Sequence, residues 1–117
     1  MKYLCLIYDD EKQWANLPKD VRDQYSAEYN SFTEGIAKSG HLVGGNELRP
    51  THTATTVRSR NGKVSTTDGP FMETKEQLGG YYLIEAKDLN DAIQVAARIP
   101  SAKRGSIEVR PVVERMA

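Results

Sequence analysis

Between His52 and Arg110 the chain carries five side chains that together suit acid–base chemistry on a small polar molecule: His52, Asp68, Glu73, Tyr81 and Arg110. An aspartate and a histidine supply a base and an acid. An arginine holds an anionic oxygen through its planar fork, and a glutamate and a tyrosine add an acceptor and a phenolic donor. Asp68 opens the segment Asp68-Gly69-Pro70-Phe71-Met72-Glu73-Thr74-Lys75-Glu76-Gln77-Leu78-Gly79-Gly80. That segment is too irregular for a strand or helix and too apolar at Phe71, Met72 and Leu78 for a linker, so it reads as a structured loop of the kind in which sites gather.

An aspartate in a turn ordinarily accepts the N–H two residues on, but here that residue is Pro70, which has none. Two roles are open to Asp68: a cap on the Phe71 amide, or a pocket-facing base or ligand anchor. Gly69, preceding a proline, is expected to be extended, with Phe71 plugging the core beneath. Arg110 reads as lying on a central strand, facing away from Ile107 and Val109. In that place it needs a carboxylate, either Asp68 or Glu73 or that of an anionic ligand. Glu73 and Glu108 are either buried proton shuttles or solvated surface acids. His41 reads as a helix-end contact, and His52, at the start of a strand, as the acid or base.

The elements that must position these groups follow from periodicity. Tyr3 to Tyr8 is a short apolar run suited to a central strand. Asp10 to Asn16 reads as a loop or one helical turn, with Trp14 as a lid over the edge of the core. Pro18 marks a first helical turn, and Val21, Tyr25, Tyr29, Phe32 and Ile36 follow at helical spacing as one apolar stripe ending before Gly40. The two tyrosines of that stripe carry hydroxyls that need partners if buried. His41 to Leu48 is a second strand that Gly44 and Gly45 are expected to bulge. Asn61-Gly62 is the strongest hairpin signal, joining His52–Arg60 to Lys63–Thr67 in an arm that reads as polar on both faces. Tyr81 to Ala86 is a strand. Asp88 caps a helix whose Leu89, Ala92, Ile93, Ala96 and Ala97 share a face, and Ser106 to Val113 closes the chain as a strand. Strand, helix, strand with hairpin extension, strand, helix, strand predicts an α+β, ferredoxin-like βαββαβ domain over residues 1–117, with an antiparallel sheet and both helices on one face. The uncovered face calls for a second copy, a homodimer with a barrel between the sheets.

Sixteen basic and sixteen acidic residues leave no net charge to draw the chain onto nucleic acid or an anionic membrane. Neither nucleic acid nor membrane is expected as a partner, and the short N-terminal apolar run followed by Asp9, Asp10 and Glu11 suits neither a signal peptide nor a span. Cys5 has no partner for a disulfide, as in a reducing cytoplasm. Two separated histidines make no metal site, the paired glycines lack the spacing and lysine of a phosphate loop, and no serine sits in a nucleophile elbow, so neither metal nor organic cofactor is expected.

The run Asp68 to Glu76 followed by Gly79-Gly80-Tyr81-Tyr82, with Gly105-Ser106-Ile107-Glu108-Val109-Arg110-Pro111 near the end, resembles the YCII-related family in its branch named for the Asp-Gly-Pro-Phe signature. The resemblance implies a dimeric α+β barrel of ferredoxin-like subunits. It also implies a catalytic His–Asp pair, proposed in related proteins, whose aspartate maps onto Asp68. Association of this branch with extracytoplasmic-function sigma factors implies a second kind of role, regulatory rather than catalytic. The sequence thus predicts either a cofactor-free acid–base enzyme for a small polar or anionic molecule, or a noncatalytic ligand- or partner-binding module.

Overall fold

Strand β1 (Lys2–Asp9) alternates strictly: Tyr3, Cys5 and Ile7 are buried while Leu4, Leu6 and Tyr8 are half-buried on the other face. In the structure, a computed structural model that describes residues 1–115, this strand is central to a four-stranded antiparallel sheet. The order is β2 (Leu42–Glu47), β5 (Gln77–Glu85), β1, β6 (Ser106–Pro111). Helices α2 (Lys19–Lys38) and α3 (Leu89–Ala97) pack on the Tyr3-Cys5-Ile7 face, where Phe32, Ile36, Ile84, Ala92, Val95 and Ile99 complete the core. This is the ferredoxin-like α+β arrangement that the order of periodic segments predicts.

The stripe on α2 is only partly core. Phe32 and Ile36 are buried, whereas Val21, Tyr25 and Tyr29 are half-buried, because the N-terminal half of the helix overhangs the end of the sheet. A short helix α1 (Glu11–Ala15) stands beside that overhang, with Trp14 edge-on to Tyr25; the Asp10 carboxylate caps it by accepting from the Lys12 and Gln13 amides. On α3 the buried face is Ala92, Val95 and Ala96, and Leu89 and Ile93 are exposed. The expected face is therefore rotated: two alanines let the helix approach the sheet closely, and Val95 fills the gap that Ile93 was expected to fill.

Three further expectations are revised. Strand β5 begins at Gln77, since Gly80 pairs with both Ile7 and Glu47 while Gly79 bulges at the register shift between Ile7 and Tyr8 and accepts from the Leu48 N–H, so neither glycine ends a loop. Strand β6 pairs only with β1 and is an edge, so Arg110, opposite Leu4, is exposed rather than enclosed by the sheet. Phe71 is 73% exposed. Gly69 takes a φ of +96°, not the extended conformation, donates its N–H to the Ala54 carbonyl and accepts from the Thr56 hydroxyl, which pins the turn to the arm and carries Phe71 away from the core.

Strands β3 (Thr55–Arg60) and β4 (Lys63–Asp68) form a separate two-stranded sheet closed by Asn61 and Gly62, both at positive φ as the tight turn requires. Pairing places Val64 opposite Ser59, so Val57 and Val64 share one face and Arg58, Arg60 and Lys63 the other. Both faces are mostly polar, as expected, with Val57 and Val64 as an apolar pair among Thr55, Ser59, Thr66 and Asp68 on one of them. The arm stands away from the body: the radius of gyration is 16.3 Å, against about 13 Å for a compact chain of this length. The Gly44 region bulges as expected, with a register shift between Leu42 and Gly44 against β5. Among the described residues no helix is long and apolar enough to cross a membrane.

Candidate active site

Where α2 overhangs the sheet, a cavity of about 650 Å³ opens between the helix, the ends of β1 and β2, the start of β5 and α1. Its apolar wall includes Ile7, Trp14, Leu42, Leu48 and Pro50. Its polar wall includes the hydroxyls of Tyr29, Thr33, Tyr82 and Ser101, the carboxylates of Asp9 and Glu11, and the amides of Asn30, Asn46 and Gln77. A volume of a few hundred cubic ångströms with a mostly apolar surface and a few convergent polar groups is the form of a small-molecule site.

Each polar group is set by an element. Tyr29 and Thr33 are four apart on α2 and so lie on one face of the helix. The Tyr29 hydroxyl is 2.6 Å from Ser101 Oγ, and Thr33 Oγ1 is 2.6 Å from the Tyr82 hydroxyl, which ties the helix to the short turn Pro100–Lys103 and to the sheet. Tyr82 is further fixed edge-on to Phe32, with ring centroids 5.2 Å apart. Gly45 makes room for it: a side chain there would meet the Tyr81 carbonyl oxygen at 2.7 Å and Tyr82 Cδ1 at 2.9 Å. Burial pushes the Tyr29 phenol above its usual range, partly offset by its contact with Ser101. Tyr29 is thus a neutral hydroxyl at physiological pH.

The carboxylates are held rather than free. Both oxygens of Glu11 are engaged by Thr51, one by its N–H and one by its hydroxyl, each at 2.8 Å, and the Glu11 amide donates to Gln77 Oε1. Asp9 Oδ2 stands 2.8 Å from Arg104 Nε as an ion pair, without the alignment of a hydrogen bond. The Arg104 guanidinium also lies over the rings of Trp14 and Tyr25, at 5.3 and 5.5 Å from their centroids. Arg104 therefore has the enclosed, carboxylate-paired setting that the sequence pattern suggested for Arg110.

Of the five candidate site residues, Tyr81 alone borders this cavity, but its side chain shares the sheet face of its partner Leu6, opposite the helices, where its hydroxyl donates to Asn46 Oδ1 at 2.8 Å. Asp68, at the end of β4, is exposed, as are His52, Glu73 and Arg110. Among the described residues none of these four makes a side-chain hydrogen bond or ion pair, so no Asp68–Arg110 lock closes the loop in the single chain. His41 makes the helix-end contact expected of it: Nδ1 meets Ser39 Oγ at 2.7 Å and Nε2 meets both Asp91 oxygens at 3.2 Å, joining the end of α2 to α3. The Lys87 amide and then His41 hold the Asp91 carboxyl below its usual range.

Sequence reasoning did not reach Asp9, Glu11, Thr33, Tyr82 or Ser101. The need of the stripe tyrosines for hydroxyl partners was the one legible signal, and Tyr29 meets it through Ser101. No periodicity marks a serine in the short turn Pro100–Lys103 as the partner of a helix more than seventy residues away.

Sheet order, helix placement and cavity define a ferredoxin-like α+β protein with a small-molecule-sized cavity at the open end of its sheet. The chain belongs to the YCII-related family, whose domain matches residues 1–115. It is 35% identical over 114 residues to an uncharacterised protein of Rhizobium meliloti (strain 1021), covering 96% of this chain and 92% of that one. Its fold is similar to that of the 5-chloro-2-hydroxyhydroquinone dehydrochlorinase TftG from Burkholderia phenoliruptrix AC1100, solved in complex with 2,5-dihydroxybenzoquinone. That likeness has a TM-score of 0.54 at 15% identity and covers 98% of this chain and 96% of that one, which speaks for the fold alone.

Proposed function

We propose that this protein is a cytoplasmic, cofactor-free acid–base enzyme of the Asp-Gly-Pro-Phe branch, acting on a small polar molecule in the cavity beneath α2. The observation that carries the reading is the union, in one cavity, of apolar walls, the paired hydroxyls of Tyr29, Thr33, Tyr82 and Ser101, and the carboxylates of Asp9 and Glu11. Isomerisation and hydrolysis need a base at one position and a polarising donor at another; Asp9 or Glu11 supplies the first and the Tyr29 and Tyr82 hydroxyls the second. The protein works as a homodimer in this reading. Leu4, Leu6, Leu78, Tyr81 and Leu83 lie half-exposed on the sheet face opposite the helices, and a second copy covering them also encloses Arg110, which shares that face with Leu4.

Amide NMR titration with a library of small polar metabolites tests the reading. Shifts are expected at Tyr29, Thr33, Gly45 and Tyr82, with the Asp68→Asn variant responding like the parent. Loss of the response in Asp68→Asn would move the site to the Asp68 loop. A second reading, a partner-binding module, is favoured by the exposure of Val57, Val64, Phe71 and Met72, at 62%, 71%, 73% and 57%. It prevails if no metabolite shifts a cavity amide.

A further inference from the structure

Four of the hydroxyls at the cavity wall form two closed pairs, Tyr29 with Ser101 and Thr33 with Tyr82, each at 2.6 Å. A hydroxyl has one proton to donate. The single hydrogen bond inside a pair consumes one of the pair's two protons, whichever partner donates it. The other proton has no acceptor among the described residues, since neither pair makes a further side-chain hydrogen bond. Each pair therefore presents one unspent O–H donor, and all four residues line the same cavity.

The two pairs are carried by neighbouring turns of α2. Tyr29 and Thr33 are one helical turn apart on α2, with Cβ atoms separated by about 5–6 Å. Ser101 is buried and the Tyr82 ring is braced edge-on against Phe32, so the oxygens of both pairs are held in place while each free O–H can still rotate toward a ligand. Trp14, Leu42 and Ile7 supply apolar surface for the faces of a ring. Asp9 and Glu11 on the same wall disfavour a ligand with several negative charges.

We propose that the Tyr29–Ser101 and Thr33–Tyr82 pairs form a double donor subsite that recognises a neutral six-membered ring bearing two acceptor oxygens, of the cyclic dione class. This rests on the proposed function of the cavity and names the ligand chemistry it selects. The pairing has an unusual consequence for mutation. Thr33→Val leaves the Tyr82 hydroxyl, which then keeps its own proton for the ligand, so one donor survives. Only removal of both members of a pair abolishes its donor.

The test is an amide NMR titration with 1,4-cyclohexanedione, which carries two acceptors and no donor, beside methylcyclohexane, a ring with neither. The dione is expected to shift the cavity amides and methylcyclohexane to bind at least roughly 10-fold more weakly, as two neutral hydrogen bonds at about 1 kcal/mol each would give. Thr33→Val is expected to weaken the dione by less than about 3-fold, and Thr33→Val combined with Tyr82→Phe by roughly 3- to 10-fold. Equal binding of the two rings overturns the donor subsite while leaving the cavity as a binding site. Absence of dione binding overturns the subsite as well, and the metabolite library then decides separately whether the cavity binds anything. If the double variant does not fold, the comparison of the two rings on the unmodified protein still decides.

Discussion

The cavity end and the projecting arm use similar residues to opposite effect. Both are rich in threonine and hydroxyls, yet at the cavity the hydroxyls of Tyr29, Thr33, Tyr82 and Ser101 pair with one another across elements distant in sequence. On the arm, Thr55, Ser59, Ser65, Thr66 and Thr67 face solvent and only Thr56 spends its hydroxyl, on the Gly69 carbonyl. The difference lies in what stands behind each region. The cavity is backed by Phe32, Ile36 and Ile84, buried in the main core, whereas the arm has only its own ladder of paired strands. A site needs rigid walls to hold donors in place, and the arm lacks them.

The largest expected effect is kinetic, at the centre of the backing core. Burial pushes the Cys5 thiol up to about 11, so near pH 8 it stays a thiol. Reaction with a maleimide is expected to be more than about 100-fold slower than in the urea-unfolded chain, from ionisation alone. Native-state labelling at the unfolded rate would show that the core behind the cavity opens as readily as the arm. Next, Ile36→Ala removes a fully buried side chain that joins α2 to the sheet and is expected to cost about 2–5 kcal/mol in urea unfolding. Gly45→Ala sets a methyl against the Tyr81 carbonyl and the Tyr82 ring. About 1–3 kcal/mol is expected, because β2 is an edge strand that shifts to relieve part of the clash, and the shift displaces Tyr82 in the cavity. An unchanged urea midpoint for either variant would erase the contrast with the arm.

Local chemistry makes the arm and the helices legible in the sequence. Asn61-Gly62 sets the turn, and the spacing from Val21 to Ile36 sets the stripe on α2, because both are properties of a few adjacent residues. The cavity is not legible in that way. Its polar wall joins Tyr29 to Ser101 and Thr33 to Tyr82, and such contacts follow from how the helix crosses the sheet rather than from any spacing. Gly79-Gly80 has the composition of a loop, and only the partners of Gly80 on β1 and β2, with Gly79 bulged beside it, make it strand. Arg110 and Arg104, six residues apart, divide on a similar ground. The strand that carries Arg110 is an edge and leaves it in solvent, while the turn before that strand delivers Arg104 to Asp9 and to the rings of Trp14 and Tyr25.

A smaller effect lies at the far end of α2, where His41 and Lys87 hold Asp91. Because the folded carboxyl lies below its unfolded value of 3.8, its contribution to stability is present above that pH and is lost as pH falls through the folded value. Asp91→Asn is accordingly expected to lower the urea midpoint at pH 7 and to converge on the parent only as pH falls below 3.8 through the folded value. A constant difference across that range would assign the loss to packing instead of charge.

The smallest effect belongs to the arm and is the sharpest test of the contrast. Val64 is 71% exposed and Val57 62%, so replacing both by serine removes little surface that folding had buried. The unfolding free energy of the double variant is expected to stay within about 0.5 kcal/mol of the parent. A loss comparable to that of Ile36→Ala would mean that this face of the arm is buried in solution against another surface. Sedimentation of parent and variant then separates the sources. A parent dimer that the variant cannot form places the second copy on the arm, while an unchanged dimer leaves the open face of the sheet, with Leu4, Leu6 and Leu83, as the seam.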